Sequence, residues 1–241
     1  MESVDITLPS SGSTVSVALD RKQMKTCRLK VYPEQTIVLS LPVNAPTEWA
    51  EKFLNEKSTW IEAKLQLFQK TVGYAATNEI KNGYSIKMLG EDMIFALAAC
   101  ERDHVYAEGK IIHICVKRPS DQNRVRTLFE KWWRNQAKDV LEHRVNYWYP
   151  VIAKYGIEKP HIAIRKMRTL WGSCSVPRNT VTFNFYLIKA RMPYIDYVVL
   201  HELIHFLYPN HSKLFYDFLS NHMPDWKERK RFLDQDVVHG L

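Results

Sequence analysis

The chain is poor in the features that mark several protein classes. Only four of its 241 residues are cysteine. Cys27, Cys100, Cys115 and Cys174 show no C-x-x-C spacing, which points to free thiols in a reducing compartment rather than a disulfide framework. Glycine is scarce, at eight residues, and no G-x-x-x-x-G-K occurs, so a Gly-rich phosphate loop is not expected. No apolar run approaches the ~20 residues of a membrane-spanning helix. The opening MESVDITLPSSGSTVSV has neither a basic start nor an apolar stretch, so no signal peptide is expected. Internal repeats and low-complexity tracts are also missing. A cytoplasmic globular protein with no membrane segment is the resulting expectation.

What is present is ordinary in bulk and unusual in detail. Hydrophobic residues make up 46% and charged residues 25%, enough for a sizeable core in one large or two small domains. The formal net charge is +8, which favours anionic partners such as nucleic acid, nucleotides or acidic surfaces. Basic residues are densest at Arg21, Lys22, Lys25, Arg28 and Lys30, and again at Arg165, Lys166 and Arg168.

The pattern along the chain predicts an α+β protein. Thr14–Leu19, Thr26–Val31 and Thr36–Leu41 alternate or are β-branched and read as strands. One helix is expected from Pro46 to about Lys70, then a loop from Gly73 to Gly83. Tyr84–Leu89, Met93–Ala98 and Lys110–Lys117 read as further strands. Pro119-Ser120-Asp121 marks a boundary, so the expected division is a strand-rich region 1–118 and a catalytic region 119–241. Ser120 or Asp121 can cap a long helix running to about Tyr155. Ile162–Thr169 and Val181–Ile188 read as strands, with turn chemistry between them at Trp171–Ser175 and Pro177–Asn179. A helix follows from near Pro193 to near Tyr208, where Pro209 ends it. Ser212 can cap the next helix and Pro224-Asp225 can open a last one.

The chemistry is concentrated in His201-Glu202-Leu203-Ile204-His205. Histidines four apart lie one above the other on a helix face and can reach one metal ion, with the glutamate directed toward a bound water. A zinc ion there lowers the pKa of its water toward ~7, and the carboxylate can take the proton. A chance five-residue match is the competing explanation. It is weakened by the surroundings, because Ile195, Tyr197, Val198, Val199, Leu200, Leu203 and Ile204 make the helix apolar nearly all round and therefore buried. Two imidazoles and a carboxylate in such a helix are costly unless paired or metal-bound.

A catalytic zinc takes three protein ligands and keeps one position open. His211 is the best third ligand, since the break at Pro209 turns the chain back. Asp217, Asp225 and His222 are the alternatives. The spacing equals that of the metzincins, H-E-x-x-H-x-x-G-x-x-H. Tyr208, however, stands at the glycine position and cannot take a positive φ cheaply, so the loop must differ.

The run from Thr169 to Asp234 resembles the YgjP-like metallopeptidase family. The matching residues are Trp171-Gly172-Ser173-Cys174-Ser175, Asn184, Leu187, Pro193, Ile195-Asp196-Tyr197-Val198-Val199, His201-Glu202-Leu203, His205, Asn210-His211-Ser212 and Phe215. Leu170 departs from the family pattern, which has Arg there. The resemblance implies a zincin-like core with a small sheet, zinc held by His201, His205 and His211, and Glu202 as general base. It also implies an extended peptide laid along an edge strand, for which Val181–Ile188 is the candidate. Asn184 and Tyr186, on the face of that strand opposite its apolar residues, and Arg165 are the candidate substrate-binding residues.

Three functions fit these expectations. The first is zinc-dependent hydrolysis of peptide bonds. The second, drawn from the same resemblance, is zinc-dependent release of pyrophosphate from a nucleoside triphosphate such as UTP, with the basic clusters holding phosphates. The third is a DNA-associated zincin module recruited by the positive charge.

Overall fold

The structure is a computed structural model that describes residues 2–32, 35–75, 79–167 and 170–236. The chain forms two compact units, Met1–Thr77 and Asn78–Leu241. The α+β class is as expected, with three small sheets and seven α-helices among the described residues.

The first unit is a four-stranded sheet with two helices. Its strands are β1 (Ser3–Thr7), β2 (Thr14–Lys22), β3 (Arg28–Val31) and β4 (Ile37–Pro42), in the order β1-β2-β4-β3. β2 and β4 are parallel, and the two outer pairs are antiparallel. Strict alternation places Ile37, Leu39 and Leu41 on the buried face of β4. They pack with Val17 and Leu19 of β2, and with Ala50 and Leu54 of α1 (Thr47–Glu56) and Ile61 of α2 (Ser58–Ala75). The single helix expected from Pro46 to Lys70 is thus two. The amide of Lys57 donates to the carbonyls of both Phe53 and Leu54 at 3.1 Å, which tightens and closes the first. β1 lies in a segment the periodicity did not single out. Of the expected Gly73–Gly83 loop, residues 76–78 lie outside the described residues.

The second unit opens with another four-stranded sheet. β5 (Ser85–Met88), β6 (Glu91–Ala99), β7 (His104–Glu108) and β8 (Ile111–Val116) are ordered β5-β6-β8-β7. The two inner strands are again parallel and the outer pairs antiparallel. Both sheets therefore share one topology, which no sequence repeat announced.

α3 (Gln122–Trp148) follows, its N-cap Asp121 accepting from the amide of Arg124 at 3.0 Å. Val125, Phe129, Trp133, Ala137, Leu141 and Val145, four apart, form its buried stripe. Phe129 meets Phe95 of β6 edge-on at 5.2 Å, and the Trp133 indole donates to the Phe185 carbonyl at 2.9 Å. The same core holds Ile112, Ile114 and Val116 of β8. For this reason the second sheet belongs with the catalytic part. The compact units divide at Thr77/Asn78, whereas the sequence reading placed the boundary at 118/119. Pro119-Ser120-Asp121 turns the chain from β8 into the helix that covers it, inside the second compact unit.

α4 (Pro150–Ala153) leads to a three-stranded sheet of β9 (His161–Arg165), β10 (Gly172–Ser175) and β11 (Thr180–Asn184), ordered β10-β11-β9. Two expectations are corrected here. The segment Trp171–Ser175, read as a turn, supplies strand β10. The strand expected at Val181–Ile188 ends at Asn184 and is central rather than an edge: it pairs antiparallel with β10 and parallel with β9. Three helices complete the chain, α5 (Met192–Ile204), α6 (Lys213–His222) and α7 (Trp226–Asp236). No described helix is long and apolar enough to cross a membrane.

Candidate metal centre

α5 is buried because its sequence offers no polar face. Ile195, Val198, Val199, Leu200, Leu203 and Ile204 are all buried in it. It is pinned to α3 by Asp196, which accepts from Arg144 and, at 3.0 Å, from the Trp148 indole. The helix ends at Ile204, earlier than Pro209 alone requires, and His205 is its C-cap. Shorter bonds then tighten the chain, with Phe206 N donating to Leu203 O at 3.1 Å and Leu207 N to Ile204 O at 2.9 Å.

This termination aims the second motif histidine. His205 Nδ1 lies 3.0 Å from the Tyr208 carbonyl. A carbonyl can only accept, so Nδ1 carries the proton and Nε2 keeps a free lone pair. Beyond Pro209 the chain returns, and Ser212 caps α6 by accepting from the Phe215 amide at 3.4 Å. That places His211 next to the motif. Its Nε2 stands 2.9 Å from His201 Nε2. The ligand atoms of His201, His205 and His211 all lie within 4.8 Å of one another. The buried ring of Phe215 sits 4.8 to 4.9 Å from each imidazole and forms the floor beneath them.

The electrostatics favour lone pairs over charge. Burial, followed by the neighbouring His205, His211 and Lys230, pushes His201 down to about 3. His205 is lowered chiefly by burial, against the opposing Tyr208 carbonyl, and His211 by burial and then Lys230. In neutral solution the three rings are uncharged, which is the ligating form. Nitrogen donors converging without an acidic acceptor suit a borderline cation such as zinc. His201 Nδ1 is buried with no hydrogen-bond partner. An unpaired buried polar nitrogen of this kind costs about 1–3 kcal/mol, and a functional role such as metal ligation is a reason for a fold to keep such an imidazole.

Glu202 lies on the other side of the motif, buried against β10. A Cβ built on Gly172 would fall 2.6 Å from Glu202 Cγ and 2.7 Å from its Oε1. Only glycine leaves room for the carboxylate. Burial pushes Glu202 up to about 8. The Cys174 thiol, also on β10, is pushed up to about 12 by burial and then by Glu202, and among the described residues it is not one of the side chains whose ligand atoms converge.

The expected substrate residues are placed differently. Asn184 is fully buried. Its Nδ2 donates to the carbonyls of Met167 at 2.9 Å and Leu170 at 2.7 Å, and its Oδ1 accepts from Tyr186 N at 3.1 Å. Those bonds use its amide to hold the loop that enters β10, so it faces inward and not toward a ligand. Tyr186 is buried too, edge-on to Phe185 at 5.0 Å with the Lys189 ammonium 5.1 Å from its ring centre. Arg165 alone keeps an exposed side chain, but it ends β9, on the far side of β11 from Gly172. Part of the first basic cluster is neutralised internally, since Arg21 pairs with Glu2 at 2.7 Å and Lys22 with Asp20 at 2.5 Å. Arg168 lies outside the described residues.

The alternative third ligands are otherwise occupied. Asp217 pairs with Lys213 at 2.8 Å, Asp225 with Arg229 at 2.9 Å, and His222 Nδ1 with the Phe218 carbonyl at 2.9 Å. Sequence reasoning named Gly172 only as part of the family pattern and missed its close approach to Glu202, and it missed an aromatic wall. Tyr216 stacks on His211 at 6.0 Å and on Trp226 at 5.1 Å, and Trp226 stacks on Tyr197 at 6.5 Å. A glycine inside a strand signals close approach, a signal hidden while the segment was read as a turn.

Three uncharged imidazoles converging beside a buried carboxylate define a metal-dependent hydrolase. A model of the YgjP-like metallopeptidase domain matches residues 25–236. The chain belongs to the YgjP-like metallopeptidase family. No curated protein matches it. Among solved structures it is similar to the metallopeptidase zymogen jannalysin of Methanocaldococcus jannaschii, at 27% identity and a TM-score of 0.34, over 39% of this chain and 94% of that one. It is also similar to the zymogen abylysin of Pyrococcus abyssi, at 21% identity and a TM-score of 0.34, over 43% of this chain and 98% of that one.

Proposed function

We propose that the protein is a zinc-dependent peptidase in which His201, His205 and His211 hold the metal and Glu202 is the general base. The observation that carries this reading is the convergence of three ligand atoms within 4.8 Å beside a carboxylate confined by Gly172. When bound, the zinc supplies a Lewis acid and an acidified water. Glu202 takes a proton from the attacking water onto its carboxylate and gives it to the departing amine, as one group can do both in turn. Burial suits it to that task, because a carboxyl whose proton is held near neutral pH can both accept and return it. Burial against β10 limits water around the carboxylate. β10, rather than Val181–Ile188, is the sheet edge beside Glu202 and therefore the edge that an extended peptide would join.

Zinc-loaded protein should hydrolyse unfolded protein or short peptides. Glu202→Gln should retain one zinc per chain while its turnover falls by about 10²- to 10⁴-fold, the usual share of general acid–base catalysis. An unchanged rate in that variant sinks the assignment. Release of pyrophosphate from nucleoside triphosphates, with no peptide cleaved, would replace the peptidase with the pyrophosphatase.

A further inference from the structure

The three ligand histidines are not held alike. His205 is oriented by a hydrogen bond, its Nδ1 lying 3.0 Å from the Tyr208 carbonyl. His201 Nδ1 is buried with no such partner. His211 is exposed and stands outside any helix, just ahead of α6. Among the described residues its side chain has no hydrogen-bond partner other than His201. A metal-ligating imidazole ordinarily donates its second N–H to an acceptor, which fixes the plane of the ring. For His201 and His211 something else must fix it.

Aromatic rings supply that constraint. Tyr216 of α6 stacks on His211, with ring centres 6.0 Å apart and planes 23° apart. Trp226, the first residue of α7, stacks on Tyr216 at 5.1 Å and 18°. The same indole is near-parallel to Tyr197 of α5, at 6.5 Å and 11°. Tyr197 lies one turn before His201 on that helix, and their rings are 5.6 Å apart. His201 and His211 are themselves 4.9 Å apart between ring centres. These contacts close a circuit from one ligand to the other through α5, α7 and α6. The indole that joins its two sides is held in turn, because its Nε1 donates to Ser220 Oγ at 2.9 Å. Aromatic pairs favour a few relative orientations, so each ring plane in the circuit constrains the next.

We propose that Trp226 is a positioning residue of the metal centre: its indole joins Tyr216 to Tyr197, sets the ring planes of His211 and His201, and so sets how tightly zinc is held. This rests on the metal-centre reading above. Among the described residues Trp226 makes no ring contact with either histidine, so it acts through the two tyrosines.

Zinc affinity tests this without turnover. Full-length protein is stripped of metal and titrated with zinc against a competing chelator. Trp226→Leu should weaken zinc binding by about ten- to a hundredfold, the usual effect of losing a group that orients a ligand. Trp226→Phe restores a ring and should return the affinity to within about threefold of wild type. Tyr106→Leu removes a ring stacked on His113 at 4.6 Å, outside the circuit, and should leave zinc affinity unchanged. In cobalt-loaded protein at saturation, the visible ligand-field bands should shift in Trp226→Leu and not in Trp226→Phe. Far-UV circular dichroism of the metal-free variants verifies folding. Should Trp226→Leu fail to fold, Tyr216→Leu opens the circuit at the next ring and should give the same loss. Wild-type affinity and bands in a folded Trp226→Leu, or in the Tyr216→Leu that replaces it, overturn the proposal. So does a Trp226→Phe as weak as Trp226→Leu, or an equal loss in Tyr106→Leu. A wild-type protein that binds no zinc overturns the metal-centre reading itself, whereas tight wild-type binding indifferent to Trp226 overturns this proposal alone.

Discussion

At the scale of single residues, Gly172 and Lys189 carry the sharpest consequences. Gly172→Ala puts a methyl group where Glu202 Cγ and Oε1 now lie, 2.6 and 2.7 Å from it. The carboxylate must shift, while the imidazoles are not touched. We expect kcat to fall by about 10²-fold or more, with KM and zinc content nearly unchanged and stability lowered by about 1–3 kcal/mol through overpacking. Steady-state kinetics with metal analysis checks this, and full activity in the variant would show that Glu202 has room to spare. Lys189 is buried, and burial alone lowers it from 10.5 to about 8. A base whose folded pKa is depressed makes stability rise with pH between the folded and unfolded values, because the unfolded chain binds the proton more readily there. Unfolding free energy should therefore climb from about pH 8 to 10.5, and Lys189→Met should remove that slope. Urea titrations across the pH series read the slope.

At the scale of elements, the motif helix α5 is held by its apolar surface and by one polar cluster. Asp196 accepts from Arg144 and from Trp148 Nε1, and both members of the ion pair have side chains only 12% exposed. Asp196→Ala strands a guanidinium and an indole N–H, and should cost about 3 kcal/mol by chemical denaturation. The double variant with Arg144→Ala should cost clearly less than the two single costs summed, as expected of groups in contact. A strictly additive double variant would show that the pair does not tie α5 to α3. The elements also show what the sequence could disclose. The buried motif helix, the Asp121 and Ser212 caps and most strands were legible, because periodicity and capping are local properties. Strand order is not local. Val181–Ile188 has the alternation of a strand, but nothing in that alternation says that Gly172–Ser175 pairs on one side of it and His161–Arg165 on the other. Asn184 was misplaced for the same reason: its polar side chain was read as facing a site, whereas it faces the carbonyls of Met167 and Leu170. β7 is short and largely exposed and so carries little hydrophobic pattern, whereas β1 alternates, burying Val4 and Ile6, but over only five residues.

For the whole molecule, the question is which parts the metal chemistry needs. The three histidines, Glu202, Gly172 and the continuous core from Ile80 to Leu233 all lie within Asn78–Leu241. The sequence suggested a division at 118/119 because Pro119-Ser120-Asp121 looks like a linker, but the stripe of α3 is buried partly against residues of the preceding sheet. A chain starting at residue 119 would expose Val125 and Phe129, which pack with Phe95 and Ile112, and should aggregate. A chain of residues 78–241 keeps that core and should unfold cooperatively, bind one zinc ion and show a midpoint that rises with free zinc, since a metal bound only to the folded state stabilises by mass action. Chelation should lower the midpoint in both this chain and the full-length protein, in proportion to the binding free energy lost. The matched family region begins at residue 25, inside the first unit, so that unit is expected to contribute something other than the metal. If residues 78–241 bind zinc and cleave short peptides but not unfolded proteins, the first unit is the substrate-recruiting part. Equal rates on both substrates would instead confine recognition to the second unit.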